Sequence, residues 1–217
     1  MQALTERLIE RGLRNKVLSE RQLERVAGGG DARRYGLVNR ALKAHELIRL
    51  RRGLYMLPAK YRTEAPHPFA LAQALKPGSY VSFESALSAQ AWIPEHVHIV
   101  ASVIPGRKSA SLEHPSLGSF TFHPLALHKA QYLELIERQQ WDTQVALIAQ
   151  APRALLDLIT LRKVPWQGLS SLTEGLRIEE AMLRTITRTQ IQRLGQVYQH
   201  KQPNQFLKAL AHELQLD

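Results

Sequence analysis

Residues 31–58 read DARRYGLVNRALKAHELIRLRRGLYMLP, a run that holds two distinct patterns. In its first half, apolar residues recur at the spacing of an α-helix and follow Asp31, a good N-cap, which predicts an amphipathic helix over residues 32–45. In its second half, two short apolar runs flank the Arg-Arg-Gly triplet 51–53, which predicts a tight β-hairpin. We expect Gly53 to supply the positive φ that such a turn requires.

The residues before this run predict two more helices. Apolar positions at helical spacing indicate a first helix over residues 3–14, and Ser19 with Gln22 forms a capping box that opens a second. The second helix should stop at the three glycines 28–30. Three helices followed by a hairpin is the element order of a winged helix-turn-helix domain, whose third helix enters the major groove and whose hairpin touches the DNA backbone.

The third predicted helix has two unlike sides at about 100° per residue. The side expected to pack carries Tyr35, Val38, Ala41, Leu42 and His45. An arc of about 120° on the other side carries Arg33, Gly36, Asn39, Arg40 and Lys43. A merely solvated basic face is the alternative interpretation of that arc.

The residue types on this arc predict a division of labour on DNA. Asn and Arg side chains make bidentate contacts to adenine and guanine edges, so we expect Arg33, Asn39 and Arg40 to read bases. Lys43 and Arg34 would hold phosphates. From the hairpin, backbone or minor-groove contacts are expected from Arg51 and Arg52.

The placement of charge agrees with a polyanion partner. The 217 residues carry 29 Lys and Arg against 19 Asp and Glu, a formal net charge of +10. Residues 1–60 hold 14 of the basic and six of the acidic side chains, so most of the excess lies in the first quarter of the chain. A basic excess concentrated in this way is typical of a nucleic-acid-binding module.

Composition excludes several classes of protein. With 44% hydrophobic and 22% charged residues, disorder is not expected as the main state. The absence of Cys excludes disulfides, thiolate nucleophiles and iron-sulfur clusters, and fits a reducing compartment. No apolar run is long enough to cross a bilayer, and charges at residues 6–11 do not fit a signal peptide. We therefore expect a cytoplasmic protein with no membrane partner.

The rest of the chain predicts a second, mixed domain. Prolines bracket a joint that contains a short helix near residues 69–75. Beyond it, strands are expected over residues 80–82, 97–103, 118–123 and 145–148, and helices over residues 83–91 and 154–161. The last fifty residues have helical spacing only. We predict an α+β fold, with a winged helix-turn-helix domain over residues 1–62 and a mixed α/β domain with a helical C-terminal tail over residues 63–217.

Motifs for catalysis or for a cofactor are not found. His96 and His98 should share one side of a strand, near His114 and His123, but there is no His-Glu-x-x-His motif, and no metal or other cofactor is expected. The glycines 28–30 fit a turn better than a phosphate loop, since no Lys-Ser or Lys-Thr follows them.

The hydroxyl and carboxylate candidates also have ordinary interpretations. Ser82, Ser85 and Ser88 lack the glycines of a nucleophile elbow, and Asp157 in an apolar helix is expected to be a hydrogen-bonded packing residue. The acidic residues after residue 66 are scattered, whereas a metal-dependent nuclease needs several that converge. We therefore predict that the protein is not an enzyme.

An ordered set of segments carries a family resemblance. The hairpin LRRGLYMLP (residues 50–58) is followed by YVS (80–82), SAL (85–87), IP (93–94), GSFTFH (118–123) and ALLDL (154–158). This set resembles AbiEi-type antitoxins, the regulator half of type IV toxin-antitoxin pairs, over roughly residues 30–162. The chain departs from the family at Gln90-Ala91-Trp92, where a glycine is common.

The resemblance implies a DNA-binding autorepressor whose second domain counters a nucleotidyltransferase-like toxin without a stable complex. The expected partner is the protein's own double-stranded promoter, with repeated half-sites. Three alternatives stay open: a stand-alone winged-helix regulator without a toxin, a DNA-directed nuclease-type enzyme, and an adaptor whose apolar helical tail binds another protein.

Overall fold

The computed structural model describes residues 3–216, which divide into two compact units. Residues 3–75 and 141–144 form the first unit, and residues 76–140 and 145–216 form the second. Helices and sheets occur in both, so the predicted α+β class is confirmed. The predicted domain boundary after residue 62 lies within the first unit.

The first unit combines helices with a small antiparallel sheet. In chain order it contains α1 (Ala3–Glu10), β1 (Leu18–Ser19), α2 (Glu20–Ala27), α3 (Asp31–Lys43), β2 (Ile48–Arg51), β3 (Leu54–Met56), a 3-10 helix (Ala59–Tyr61) and α4 (Pro68–Leu75). The sheet order is β1-β3-β2, so the β2–β3 hairpin gains a third strand from the segment before α2. The first helix is shorter than predicted because Gly12, at φ 67°, turns the chain.

Local signals fixed the ends of α2 and the hairpin turn. The Ser19 hydroxyl accepts a hydrogen bond from the Gln22 N–H at 3.3 Å, and the Gln22 side chain accepts one from the Ser19 N–H at 2.8 Å, which confirms the capping box. α2 ends at Gly28 with φ 65°. Gly53 has φ 78°, which confirms the predicted turn.

Two predictions about α3 were wrong. The helix begins at Asp31 itself, with Gly30 as the N-cap, and the Asp31 carboxylate forms an ion pair with Arg34 instead of capping the helix. Tyr35, predicted to pack, is 73% exposed, and the buried side is centred on Leu37 and Ala41. Apolar residues occur on two arcs of this helix, and packing against the core of the first unit selects the arc with Leu37. His45 is also exposed.

That core is made of one side of each of the first three helices and the inner face of the sheet. Its buried members are Leu4, Leu8, Leu18, Leu23, Val26, Ala27, Leu37, Ala41, Leu47, Tyr55 and Leu57. Each completely buried Leu stabilises the unit by about 1.5–3 kcal/mol relative to an exposed position. The core thereby holds α3 and the hairpin as one rigid body.

The second unit is built on a mixed six-stranded sheet of order β6-β7-β5-β4-β9-β8. Its elements are β4 (Tyr80–Val81), α5 (Phe83–Ala89), β5 (Ile99–Ile104), β6 (Ala110–His114), β7 (Gly118–Pro124), a 3-10 helix (Lys129–Gln131), β8 (Ile136–Trp141), β9 (Gln144–Ala149), α6 (Ala151–Arg162), α7 (Ser170–Thr173), α8 (Glu180–Leu183), α9 (Arg188–Leu194) and α10 (Lys201–Glu213). β5 pairs with β7, and β4 with β9, in parallel. The helical tail that the sequence predicted is present as α7–α10.

The strands that sequence patterning missed lie at the edges of this sheet. β6 and β8 occupy its two ends, and each of their residues is half-buried or exposed. Edge strands carry polar and charged residues, which suppress the apolar signal of a strand. β5 begins later than predicted, at Ile99, so His96 and His98 precede the strand and do not lie on it.

Candidate nucleic-acid interface

A groove of about 540 Å³ lies in the first unit between α3, the start of α2 and the β2–β3 hairpin. It is lined by Glu20, Leu23, Glu24, Asp31, Arg34, Tyr35, Val38, Asn39, Leu42, Arg49, Arg52, Gly53 and Tyr55. The N–H of Glu20 donates to the carbonyl oxygen of Gly53 at 2.9 Å and ties the hairpin turn to the start of α2. Two walls of the groove are therefore joined by a backbone hydrogen bond.

The structure brings together three of the seven predicted site residues. Arg34, Asn39 and Arg52 line the groove. The other four are exposed but do not line it: Arg33, Arg40, Lys43 and Arg51. Of the predicted arc of α3, only Asn39 lines the groove, and the other four residues of the arc lie outside it.

Two further groove residues, Arg49 and Tyr35, were not predicted from the sequence as DNA-binding candidates. Arg49 is exposed on β2 beside buried Leu50, and the alternation of Ile48, Arg49, Leu50 and Arg51 is a signal that could have identified it. Tyr35 was assigned to the packing side, and only the burial of Leu37 reveals the error.

Charges in the groove are balanced, whereas the first unit as a whole is basic. Three acidic side chains and three arginines line the groove, and one pair of them, Asp31 and Arg34, is directly bonded. Residues 1–75 and 141–144 together contain 15 basic and eight acidic side chains, a net charge of +7. The whole net charge of +7 is therefore carried by residues outside the groove.

The second unit contains a buried polar cluster around Asp157. One carboxylate oxygen accepts from Arg153 Nε at 3.0 Å and from the Tyr198 hydroxyl at 2.7 Å. The other accepts from the Tyr80 hydroxyl at 3.0 Å and from the Ser82 hydroxyl at 2.7 Å. Each oxygen thus has two donors, and the prediction that Asp157 is a hydrogen-bonded packing residue is confirmed.

Arg153 is equally well bonded. Its Nη1 donates to the Glu134 carbonyl at 2.9 Å and its Nη2 to the Tyr80 hydroxyl at 2.7 Å. Burial alone would lower the pKa of Arg153, but the Asp157 carboxylate raises it above its usual value. Burial, and then the same carboxylate, raise the pKa of Tyr80 and Tyr198 well above 10.

The serines near this cluster also have fixed hydrogen-bond partners. Ser82 bonds Asp157, and Ser85 donates to the Ile99 carbonyl at 2.9 Å while accepting from the Ala101 N–H. Ser88 donates to the Glu95 carbonyl at 2.7 Å. These hydroxyls connect α5 and its flanking segments.

Within residues 3–216, no group of three or more His, Asp or Glu side chains is placed to hold a metal ion. His96 and His98 only touch edge to face, with ring centroids 5.1 Å apart. A helix with the length and apolarity needed to span a membrane is likewise not found in the described part of the chain.

No model of a known protein family matches the sequence, and no curated protein is significantly similar to it.

Proposed function

We propose that this chain is a cytoplasmic, DNA-binding transcriptional autorepressor whose first unit is a winged helix-turn-helix. We further propose that it acts as the antitoxin of a type IV, AbiE-like pair and counters a nucleotidyltransferase-like toxin. It is a binding protein, without a cofactor or a catalytic step. Its double-stranded DNA partner is its own promoter, bound at repeated half-sites.

The observation that carries the DNA-binding proposal is the shared groove of α3 and the hairpin. Asn39 from α3 and two arginines from the hairpin, Arg49 and Arg52, line one concavity, together with three acidic side chains, in a unit of net charge +7. A helix and a hairpin joined in this way can contact base edges and backbone of one duplex at once. The exposed Arg33, Arg40 and Lys43 add positive charge to the same helix.

The antitoxin part of the proposal is supported by two segments of the family resemblance. Tyr80 and Ser82 of YVS donate to Asp157 of ALLDL, so these two blocks form one buried cluster.

Fluorescence anisotropy tests DNA binding, with the protein's upstream promoter duplex compared with a scrambled duplex across a salt titration. We expect promoter binding at least about 10³-fold tighter than scrambled binding, weakening linearly in log salt. Arg52→Ala should weaken binding to both duplexes and flatten the salt slope. The matched control is Arg107→Ala, an exposed arginine of the second unit. Equal affinity for the two duplexes would refute the proposal.

Co-expression with a nucleotidyltransferase-like protein encoded beside it tests the antitoxin role. We expect growth to be rescued although the two proteins do not co-purify. Rescue should survive Arg52→Ala, because that residue belongs to the DNA interface. Promoter-selective binding without any rescue would favour a stand-alone regulator instead.

A further inference from the structure

The groove determines which side of α3 faces bound DNA, if α3 and the hairpin contact one duplex as proposed. Tyr35 and Asn39 lie one helical turn apart on the side that lines the groove. Arg33 and Arg40 do not line it, and they lie roughly 140–160° around the helix axis from Tyr35. The two arginines therefore face away from the hairpin.

Tyr35 has no packing role that explains its presence. At 73% exposure it is the most exposed large hydrophobic residue of the described chain, and the other two, Ile99 and Leu133, belong to the second unit. A tyrosine offers an apolar ring for a thymine methyl group and a hydroxyl for a base edge. These properties suit a contact in the major groove.

Gly36 follows Tyr35 in the middle of α3, where glycine disfavours the helix. Its backbone does not require a positive φ, and a Cβ added there would meet only Arg40 Nη1, at the ordinary contact distance of 3.5 Å. Neither the fold nor the packing thus demands glycine. A glycine on an exposed helix allows another molecule to approach the backbone closely.

We infer that Tyr35 and Asn39 are the base-reading residues of this protein, and that the bare backbone of Gly36, beside them on α3, lets DNA approach the helix closely. Arg33 and Arg40 contact phosphates. This assignment rests on the proposed function, and it replaces the sequence-based expectation that Arg33 and Arg40 read bases.

The first test compares alanine variants on the promoter and scrambled duplexes by fluorescence anisotropy. Tyr35→Ala and Asn39→Ala should each lower the ratio of the two affinities by about 5- to 100-fold. Arg33→Ala and Arg40→Ala should weaken binding to both duplexes and leave the ratio unchanged. Leu133→Ala, another exposed apolar residue, is the control and should change neither affinity.

The second test separates a DNA contact from a structural role. Gly36→Ala should raise the melting temperature by roughly 2–4 °C, because alanine favours the helix, and should weaken promoter binding by about tenfold or more. The control is Gly195→Ala, since Gly195 has a helical φ of −59° and room for a Cβ in the second unit. It should leave DNA binding unchanged.

The failures of the two proposals are distinguishable. If the wild-type protein does not discriminate between the duplexes, the proposed function fails. If it discriminates but Tyr35→Ala and Asn39→Ala keep the ratio, or Gly36→Ala binds normally, the inference fails and the function stands.

Discussion

The Ser82 hydroxyl donates a 2.7 Å hydrogen bond to the Asp157 carboxylate, across 75 residues of sequence and at a site where both side chains are completely buried. It joins the end of β4 to α6. Because the same carboxylate also accepts from Tyr80, Tyr198 and Arg153, the loss of any one donor leaves three. The loss of the carboxylate removes the shared acceptor of all four donor side chains.

Asp157→Asn should therefore be among the most damaging substitutions in the second unit. It leaves the Arg153 guanidinium buried without a counter-charge, and we expect a loss of about 3–5 kcal/mol in the free energy of unfolding. Ser82→Ala removes one hydrogen bond to a charged group and should cost only about 1.5–3 kcal/mol. Native-state hydrogen exchange on peptides of the second unit measures the loss in free energy of unfolding for each variant. Equal losses would show that the unpaired charge of Arg153 is not the cause of the larger expected effect.

Ala91→Gly is expected to stabilise the second unit. Ala91 has φ 57°, in the region that favours glycine. A non-glycine residue there costs about 1–2 kcal/mol, partly offset by the greater chain entropy of glycine, so the net gain should be about 0.5–1 kcal/mol. The melting temperature of Ala91→Gly, measured by thermal unfolding, tests this gain in stability. In contrast, Ala209→Gly inside α10 should destabilise the second unit by about 1 kcal/mol. If both variants were stabilised, the positive φ of Ala91 would not be the reason.

His67 should make the first unit less stable in mild acid. Burial lowers its pKa below the ordinary 6.5, its ring stacks on Trp141 at 3.7 Å, and its Nδ1 accepts from the Phe69 N–H. The unfolded chain then binds the proton first, so stability falls as the pH drops through and below 6.5. Trp141→Ala should move the His67 pKa back toward 6.5 in an NMR titration, and a wild-type pKa at or above that value would disprove the prediction.

The hairpin turn should be sensitive to Gly53→Ala. A Cβ at Gly53 would meet only Glu20 Oε2, at 3.7 Å, so the cost comes from the φ of 78° and should be about 1–2 kcal/mol. Hydrogen exchange over residues 48–56 should accelerate, and DNA binding should weaken for all sequences alike. Unchanged exchange would show that the turn tolerates a side chain.

Many local features of the fold were predictable. The capping box of α2, the glycine turn of the hairpin and most strands of the second unit depend on residues within a few positions of one another. β6 and β8 were not predicted, because strands at a sheet edge need no continuous apolar pattern. At the candidate interface, the cationic residues named from sequence are exposed or line the groove with Asn39, but which of them share the groove was not foreseen.

The sequence by itself determined the start of α2, the hairpin turn and a basic first quarter, all of which follow from covalent neighbours and composition. Only the tertiary structure decided that α3 buries Leu37 and exposes Tyr35, and that Arg49 lies in a groove beside Asn39. It also decided which hydroxyls meet Asp157. Burial and long-range hydrogen bonds depend on which surfaces come together when the chain packs, and residues far apart in sequence contribute to that free energy together.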